Sequence, residues 1–451
     1  CVTTHPIDRF NMTKYYDRNN NTGKMRTMRG GYVNNIFDFD AEFFNISPKE
    51  AKNMDPQQRK MMELVYECIE DSNIPLCKIQ NTKTGVFMGS CSTEYFNMES
   101  EAPENCNEYF ITGGLLTLLS NRISYYFDLK GPSLTLDTAC SSSGHALHLA
   151  CQSIINGESE MCFVGGSNIL LSPETFVGFS QATMLSPDGK CMTFDDKANG
   201  YVRSEGFISL LLKPLDKAIN DKNKIYAVIN KTGINQDGKT PSITMPNPKA
   251  QMELLEEMYQ DINLKDIVYM EAHGTGTQVG DYNETLALGS VIGKNKSDVL
   301  NIGSIKSNIG HLEASSGLAS ILKICLMMNK KELLPNLHFN TPNSKIDFNN
   351  LNLNVITEKQ PIIQDKIIMG VNNFGFGGSN FHCILENYIM EKNSCNSSNM
   401  NQYHLLAIHG YNEDSINNNI FECLSYDSDL FMKYLYNMNH KKPMAQSKVF
   451  I

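Results

Sequence analysis

Cys140 stands in the run Asp137-Thr138-Ala139-Cys140-Ser141-Ser142-Ser143, after an apolar, β-rich stretch and just before small residues compatible with a helix. A sulfur at the first turn of a helix feels the positive end of the macrodipole, which predicts a thiol more acidic than the roughly 8.5 of free cysteine. Strand-to-helix turns present nucleophiles, and the small hydroxylic neighbours leave room for an acyl group. Most cysteines are inert core thiols, and Cys151 and Cys162 lack such surroundings.

Two further segments could face that sulfur: Glu271-Ala272-His273-Gly274-Thr275-Gly276-Thr277 and Lys306-Ser307-Asn308-Ile309-Gly310-His311. His273 and His311 each lie in a glycine-flanked loop after an apolar strand, where open α/β sheets place ligands. Lys306 precedes His311 on the same segment and can orient or charge the same pocket. His145 and His148 share one helix face and read as structural. The glycine runs Gly274 to Thr277 and Gly375 to Asn380 match neither phosphate-binding spacing, so close backbone approach to a substrate explains their glycines better.

These loops need strands and helices to aim them. Gly85 to Gly89, Ser133 to Leu136, Met161 to Gly166 and Ile208 to Leu212 read as short strands, the last two apolar enough for burial on both faces. Val268 to Glu271 and Asn301 to Ile305 lead into the two histidine loops, and Val371 to Glu386 reads as strand, glycine turn, strand. Helices are predicted from Ser47 to Asp71, with a second start at Asp55-Pro56, from His145 to Ile155 and from Leu318 to Met328. Residues up to about Tyr32 are polar and asparagine-rich, and read as loops. Alternation on this scale predicts an α/β protein with sheets covered by helices.

At 451 residues the chain exceeds the roughly 250 to 300 at which single cores stop growing, so more than one packed unit is expected. A net charge of −10 argues against nucleic-acid binding, and no apolar run approaches the roughly 18 residues of a membrane span. Thirteen cysteines without C-x-x-C spacing suggest reduced thiols in a cytoplasmic protein and no metal site. Composition breaks near Asn387, which predicts a main domain over 1–388, an Asn/Ser-rich linker over 389–402, and the start of a further unit over 403–451 with a strand at Tyr403 to Ile408 and a helix at Glu413 to Leu424. The opening Cys1-Val2-Thr3-Thr4 carries no initiator methionine or signal pattern, and the chain reads as a piece of a longer polypeptide.

The Cys140, His273 and Lys306 to Ala314 motifs, with Asn373-Phe374-Gly375-Phe376-Gly377-Gly378-Ser379-Asn380, resemble in order the β-ketoacyl synthase domain of type I polyketide and fatty acid synthases. Met54 to Arg59, Leu185 to Gly189 and Asn235 to Gly238 extend the resemblance over nearly everything to Glu386, and the tail resembles a ketosynthase-acyltransferase linker. The resemblance implies a thiolase-like five-layer αβαβα fold of two similar halves and a homodimer among other synthase domains. It implies that Cys140 takes an acyl chain from phosphopantetheine on an acyl carrier protein, that His273 and His311 bind a malonyl-type thioester as it loses carbon dioxide, and that Lys306 supports the pair. It further implies oxyanion donors in the backbone N–H groups of Cys140 and Phe376, substrate contacts from Thr275, Thr277, Phe374, Phe376 and Asn308, and no resident metal or redox cofactor.

Three departures accompany the matches. The first apolar strand expected of the first half's sheet is absent, Ser204 stands where glycine is usual, and Tyr282 stands where proline is usual. Rival readings are a thiolase-like acyltransferase, disfavoured because it would use a second catalytic cysteine, and an inactive domain that only dimerises and docks carrier proteins.

Overall fold

Apolar runs without polar alternation need cover on both faces, and the chain supplies it by stacking two sheets on a shared layer of helices. The computed structural model describes residues 1–389 apart from 20 and 102, then 406–410, 412–426, 431 and 447–450.

The first thirty residues are more than loops. β1 (Val2–Thr4) pairs antiparallel with β2 (Arg29–Gly31), and Met12 and Met25 between them are buried against Leu170, Phe176 and Leu185. Two methionines in a polar stretch carry no periodic signal, so only their tertiary partners mark them as core.

The first main sheet contains β3 (Thr84–Gly89), β4 (Ser133–Leu136), β5 (Met161–Asn168) and β6 (Gly206–Leu212) in the order β4-β3-β5-β6, with only β6 antiparallel to its neighbour. The second draws on β7 (Val228–Gln236), β8 (Ile267–Glu271) and β9 (Leu300–Gly303). β10 (Glu332–Leu333) pairs with β12 (Gln360–Pro361) outside it, while β11 (Leu353–Val355), β13 (Ile368–Phe374) and β14 (Ser379–Glu386) complete the order β11-β9-β8-β13-β14-β7. The core of that order, β9-β8-β13-β14, repeats β4-β3-β5-β6 in both sequence and strand direction. The two halves are thus copies of one design.

The halves differ at one edge. β7 covers the outer edge of β14, whereas β6 has no neighbour on the corresponding side among the described residues. Only Gly206 and Ile208 of β6 are buried and its other positions are half-buried, instead of being buried throughout as its composition suggests. β5, with neighbours on both sides, is buried at every position.

Helices Ser142–Ile155 and Ser316–Lys330 form the layer between the sheets, one from each half. Their approach depends on glycine. A Cβ on Gly144 would lie 2.5 Å from the Phe381 ring of β14, and one on Gly89 would lie 2.4 Å from the Ser143 nitrogen. Pro56–Ser72 covers the outer face of the first sheet and Pro248–Tyr259 that of the second, which completes five layers in the order αβαβα. Asp55 caps the former through the Gln57 N–H, and Ser47 caps the short Pro48–Asn53 helix before it through Glu50 N–H. Beyond residue 389, strand Ala407–Gly410 pairs with Ser447–Phe450 beside helix Glu413–Leu424. Residues 390–402 of the predicted linker lie outside the described residues.

Ser204 and Tyr282 are both accommodated. Tyr282 lies within the regular helix Gln278–Val291 and is partly exposed. Ser204 is buried between two glycines: a Cβ on Gly31 or Gly310 would come within 2.4 Å or 2.1 Å of its Oγ. That hydroxyl has no hydrogen-bond partner among the described residues. An orphaned buried hydroxyl costs about 1–3 kcal/mol, against roughly 0.5–1 kcal/mol for the extra backbone freedom of glycine. Ser204→Gly is therefore expected to raise the urea midpoint, by about 0.5–2 kcal/mol of stability; a lower midpoint would show that the hydroxyl is satisfied.

Candidate active site

The Cys140 loop leaves β4 through Ala139, which adopts a left-handed φ of 55°, and enters the helix Ser142–Ile155. A non-glycine residue held there stores on the order of 1 kcal/mol or more of strain, the mark of a turn that lifts a side chain out of the chain path. The loop is pinned on several sides. Thr138 N–H donates to Ser142 Oγ at 2.9 Å, Ala139 N–H to Asp137 Oδ1 at 2.7 Å, and Ser316 Oγ of the opposite half to the Cys140 carbonyl at 3.1 Å.

Opposite it, β8 delivers His273 and the segment after β9 delivers Lys306 and His311. Lys306 begins a single helical turn, Lys306–Ile309, which closes at Gly310 with φ 75°. The imidazoles of His273 and His311 lie 5.5 Å apart, nearly perpendicular, with Phe374 5.6 Å from the first ring and Tyr201 5.0 Å from the second. Lys306 Nζ is buried without a hydrogen-bond partner, and its charge reaches Cys140, His273 and His311 alike. Three distant loops therefore converge on one cluster.

Both histidines are set in the same tautomer by backbone donors. The Phe374 N–H donates to His273 Nδ1 at 3.3 Å, and the Glu313 N–H donates to His311 Nδ1 at 3.0 Å. Burial first, and then the Lys306 charge, holds both rings well below the usual imidazolium range, with His311 also acting on His273 and Arg203 on His311. A neutral ring whose Nδ1 accepts must carry its proton on Nε2. The pair thus presents two Nε2–H donors.

Charged groups that sequence reasoning missed hold these donors in place. The buried Glu284 carboxylate accepts the His273 N–H at 2.7 Å, the Gly274 N–H at 2.8 Å and the Asn372 amide at 2.9 Å. Asp281, one turn earlier on the same helix, accepts from Phe194 N–H and Gly276 N–H, and burial pushes its carboxyl up to about 7. Acidic residues at i and i+3 in a largely apolar helix directly after the His273 loop were the available signal. On the other side the Arg203 guanidinium grips Glu313 with two hydrogen bonds, at 2.5 and 3.0 Å, and lies 4.6 Å from the Phe176 ring centre. Glu313 has a left-handed φ of 46°, and this grip keeps its N–H aimed at His311.

The thiol departs from the helix-dipole expectation. Cys140 retains some accessible surface, yet protein surrounds it densely, and that burial, reinforced by the Glu313 charge, pushes the thiol up to about 12. Lys306 and the N–H groups of Phe376 and of Cys140 itself pull in the other direction without prevailing. Desolvation outweighs a partial dipole charge because the helix proper starts only at Ser142. Those two N–H groups lie within reach of the sulfur. Gly375 permits it, since a Cβ there would lie 2.5 Å from the Thr138 carbonyl.

Among the remaining expected contacts, Thr275 and Thr277 place their hydroxyls 3.1 Å apart, and Phe376 is half exposed. Asn308 is exposed on the one-turn helix and makes no side-chain hydrogen bond to the cluster among the described residues. His145 and His148 are bonded to the Ser141 carbonyl and Thr232 Oγ1, away from the imidazole pair. The loop behind the Gly276 turn also lines a cavity of about 580 Å³, with Arg29, Lys190, Lys197, Met192, Asn199 and Asp188 on its walls. Its three cations have no ion-pair partner among the described residues, while Asp188 accepts from Asn199. No group of side chains suited to hold a metal ion occurs, and no helix is long and apolar enough to cross a membrane, among the described residues.

Comparison with known proteins agrees with this arrangement. The profile of the β-ketoacyl synthase N-terminal domain matches residues 1–218, that of its C-terminal domain 226–340, and that of the ketoacyl-synthetase C-terminal extension 342–449. The highly reducing polyketide synthase azaB of Aspergillus niger is 44% identical over 402 residues, covering 87% of this chain and 16% of that protein. Polyketide synthase 37 of Dictyostelium discoideum is 44% identical over 397 residues, 86% of this chain and 13% of that protein. The chain thus spans about one sixth or less of the length of these relatives. Among solved structures, a ketosynthase from module 6 of the Bacillus subtilis bacillaene synthase superposes with a TM-score of 0.87 at 35% identity, covering 99% of this chain and 76% of that one. An oxazolomycin ketosynthase domain of Streptomyces albus gives 0.92 at 29% identity, covering 100% and 81%. With its two thiolase-type halves and its cysteine facing a histidine pair, this chain belongs to the β-ketoacyl synthase family and is a ketosynthase domain of the polyketide synthase type.

Proposed function

We propose that this domain carries out a decarboxylative Claisen condensation between two thioesters borne on phosphopantetheine arms of acyl carrier protein, within a multidomain synthase. The observation that supports it most is the neutral histidine pair, whose Nδ1 atoms are both occupied as acceptors and whose Nε2–H donors are left for a substrate oxygen.

Cys140 first attacks an acyl-pantetheine thioester. The C–S bond to the acyl group forms, the pantetheine sulfur leaves, and the proton of Cys140 ends on that departing thiol. The N–H groups of Cys140 and Phe376 hold the tetrahedral oxyanion, each such donor being worth about 3–4 kcal/mol. The carbonyl oxygen of a malonyl-type thioester then binds between His273 and His311. Loss of carbon dioxide leaves an enolate whose oxygen keeps both Nε2–H bonds; its α-carbon attacks the acyl-cysteine carbonyl, the new C–C bond replaces the C–S bond, and Cys140 leaves as a thiolate that takes up a proton from solvent to restore the thiol. Lys306, charged and unpaired behind the rings, favours the developing negative charge and disfavours imidazolium, which keeps the rings as neutral donors. The chemistry needs no resident metal or redox cofactor, because the thioester itself supplies the acidified carbon.

Thr275 and Thr277 are suited to line the pantetheine arm, with Phe374 and Phe376 beside the acyl group. The Arg29, Lys190 and Lys197 cavity behind their turn is suited to the phosphate or to an acidic carrier. We place the domain as a homodimer in the cytoplasm beside acyltransferase and other synthase units. Nothing favours the scaffold reading, and Cys140, His273, His311 and Lys306 are all present.

Cys140→Ala is expected to abolish mass addition from an acyl-carrier thioester, whereas His311→Ala should still load and lose condensation by roughly 10²–10³-fold. Intact-protein mass spectrometry and product analysis would separate the steps; loading by Cys140→Ala would disprove the nucleophile. Because burial raises the thiol, alkylation of Cys140 by iodoacetamide should climb about tenfold per pH unit from pH 7 to 10. A plateau below pH 9 would instead indicate a dipole-stabilised thiolate.

A further inference from the structure

We propose that Lys323 is a positioning residue for the decarboxylation step: from the central helix it pairs with the buried Glu271 carboxylate, and through it fixes the place and charge of Lys306. The inference rests on the reaction proposed above.

Glu271 ends β8, two residues before His273, and its side chain is wholly buried. Its Oε1 accepts the Ile305 N–H at 2.6 Å, so it grips the peptide that launches the Lys306 turn. Its Oε2 accepts the Tyr269 hydroxyl at 2.8 Å and Lys323 Nζ at 2.6 Å, and Lys323 also donates to the Tyr269 oxygen at 2.9 Å. Lys323 sits on the helix Ser316–Lys330 with its side chain 7% exposed. One carboxylate thus ties together the strand bearing His273, the turn bearing Lys306 and the central helix.

A buried carboxylate without a cation is costly and takes up a proton instead. Lys306 cannot be that cation, since its Nζ makes no hydrogen bond. The groups that act on Lys306 are Glu271 from β8, Glu284 from the helix Gln278–Val291, Cys140 from the first half, Cys191, and the two imidazoles. Burial lowers the affinity of Lys306 for its proton, and the Glu271 and Glu284 carboxylates oppose that. With Lys323 removed, the buried Glu271 carboxylate loses its ion-pair partner and its hold on the Ile305 N–H, and Lys306 loses part of the carboxylate support that opposes its desolvation. Its ammonium is then lost at lower pH, and with it the field that favours the enolate.

The test uses Lys323→Met, Lys323→Arg, Glu271→Gln and the double variant of the full chain, measuring acylation of Cys140 and decarboxylation of a malonyl thioester from pH 6 to 10. Lys323→Met is expected to load near the unsubstituted rate while the alkaline limb of decarboxylation moves down by about 1 unit or more. Lys323→Arg should restore the limb, Glu271→Gln should reproduce the shift, and the double variant should add nothing, as members of one network do. A folded Lys323→Met with an unmoved limb, or with loading and decarboxylation reduced equally, would overturn the proposal. Should that variant not fold, the double variant, which leaves no lone charge, decides by the same limb. Failure of the unsubstituted chain to load or decarboxylate would instead refute the reaction itself.

Discussion

Two imidazoles must stay neutral and keep their protons on Nε2 while buried next to an ammonium that makes no hydrogen bond. Everything around the site serves that constraint. Burial and the Lys306 charge prevent protonation, and two backbone N–H groups occupy the inner ring nitrogens. The N–H on His273 comes from the end of β13, where Phe374 pairs with Asn380 of β14. The N–H on His311 comes from Glu313, whose unfavourable backbone conformation persists because Arg203 holds its carboxylate. Strain at one residue thus becomes orientation at another.

The duplicated architecture explains why such precision is available. Each half offers the carboxyl ends of parallel strands to the same interface, the thiol coming from the first and the histidines and lysine from the second. The central helices join them at distances only glycine allows, with Phe381 of the second half on Gly144 and Ser315 of the second half on Gly166. The Ser316 hydroxyl, bonded to the Cys140 carbonyl and receiving the Asn373 amide, links the two halves directly beside the nucleophile. A shift of either half would move the sulfur relative to the donors that serve it.

The high proton affinity of Cys140 fits this economy. A cavity closed enough to strengthen hydrogen bonds to an enolate also desolvates a thiolate. In the proposed reaction the site favours the transition state over the resting anion, the two N–H groups stabilising an oxyanion that exists only while the reaction proceeds. The acid-free surroundings of the sulfur end at Glu313 and Asp137, which oppose rather than assist ionisation of the neighbouring thiols.

Local sequence determined much here. Strand runs, caps at Ser47 and Asp55, and glycine-flanked histidines follow from short-range sterics and periodicity, and the chain writes these at fixed spacings. Cys140, His273, Lys306 and His311 were legible because each lies in the segment that follows a strand, flanked by small or glycine residues. Tertiary structure alone decided the rest. Met12 and Met25 became core through distant partners, β6 lies at a sheet edge among the described residues, and Glu284, Arg203, Glu271 and Lys323 joined the cluster across separations of up to 110 residues. A buried charge has no local signature: its stability depends on a partner and a dielectric that exist only once the chain has folded.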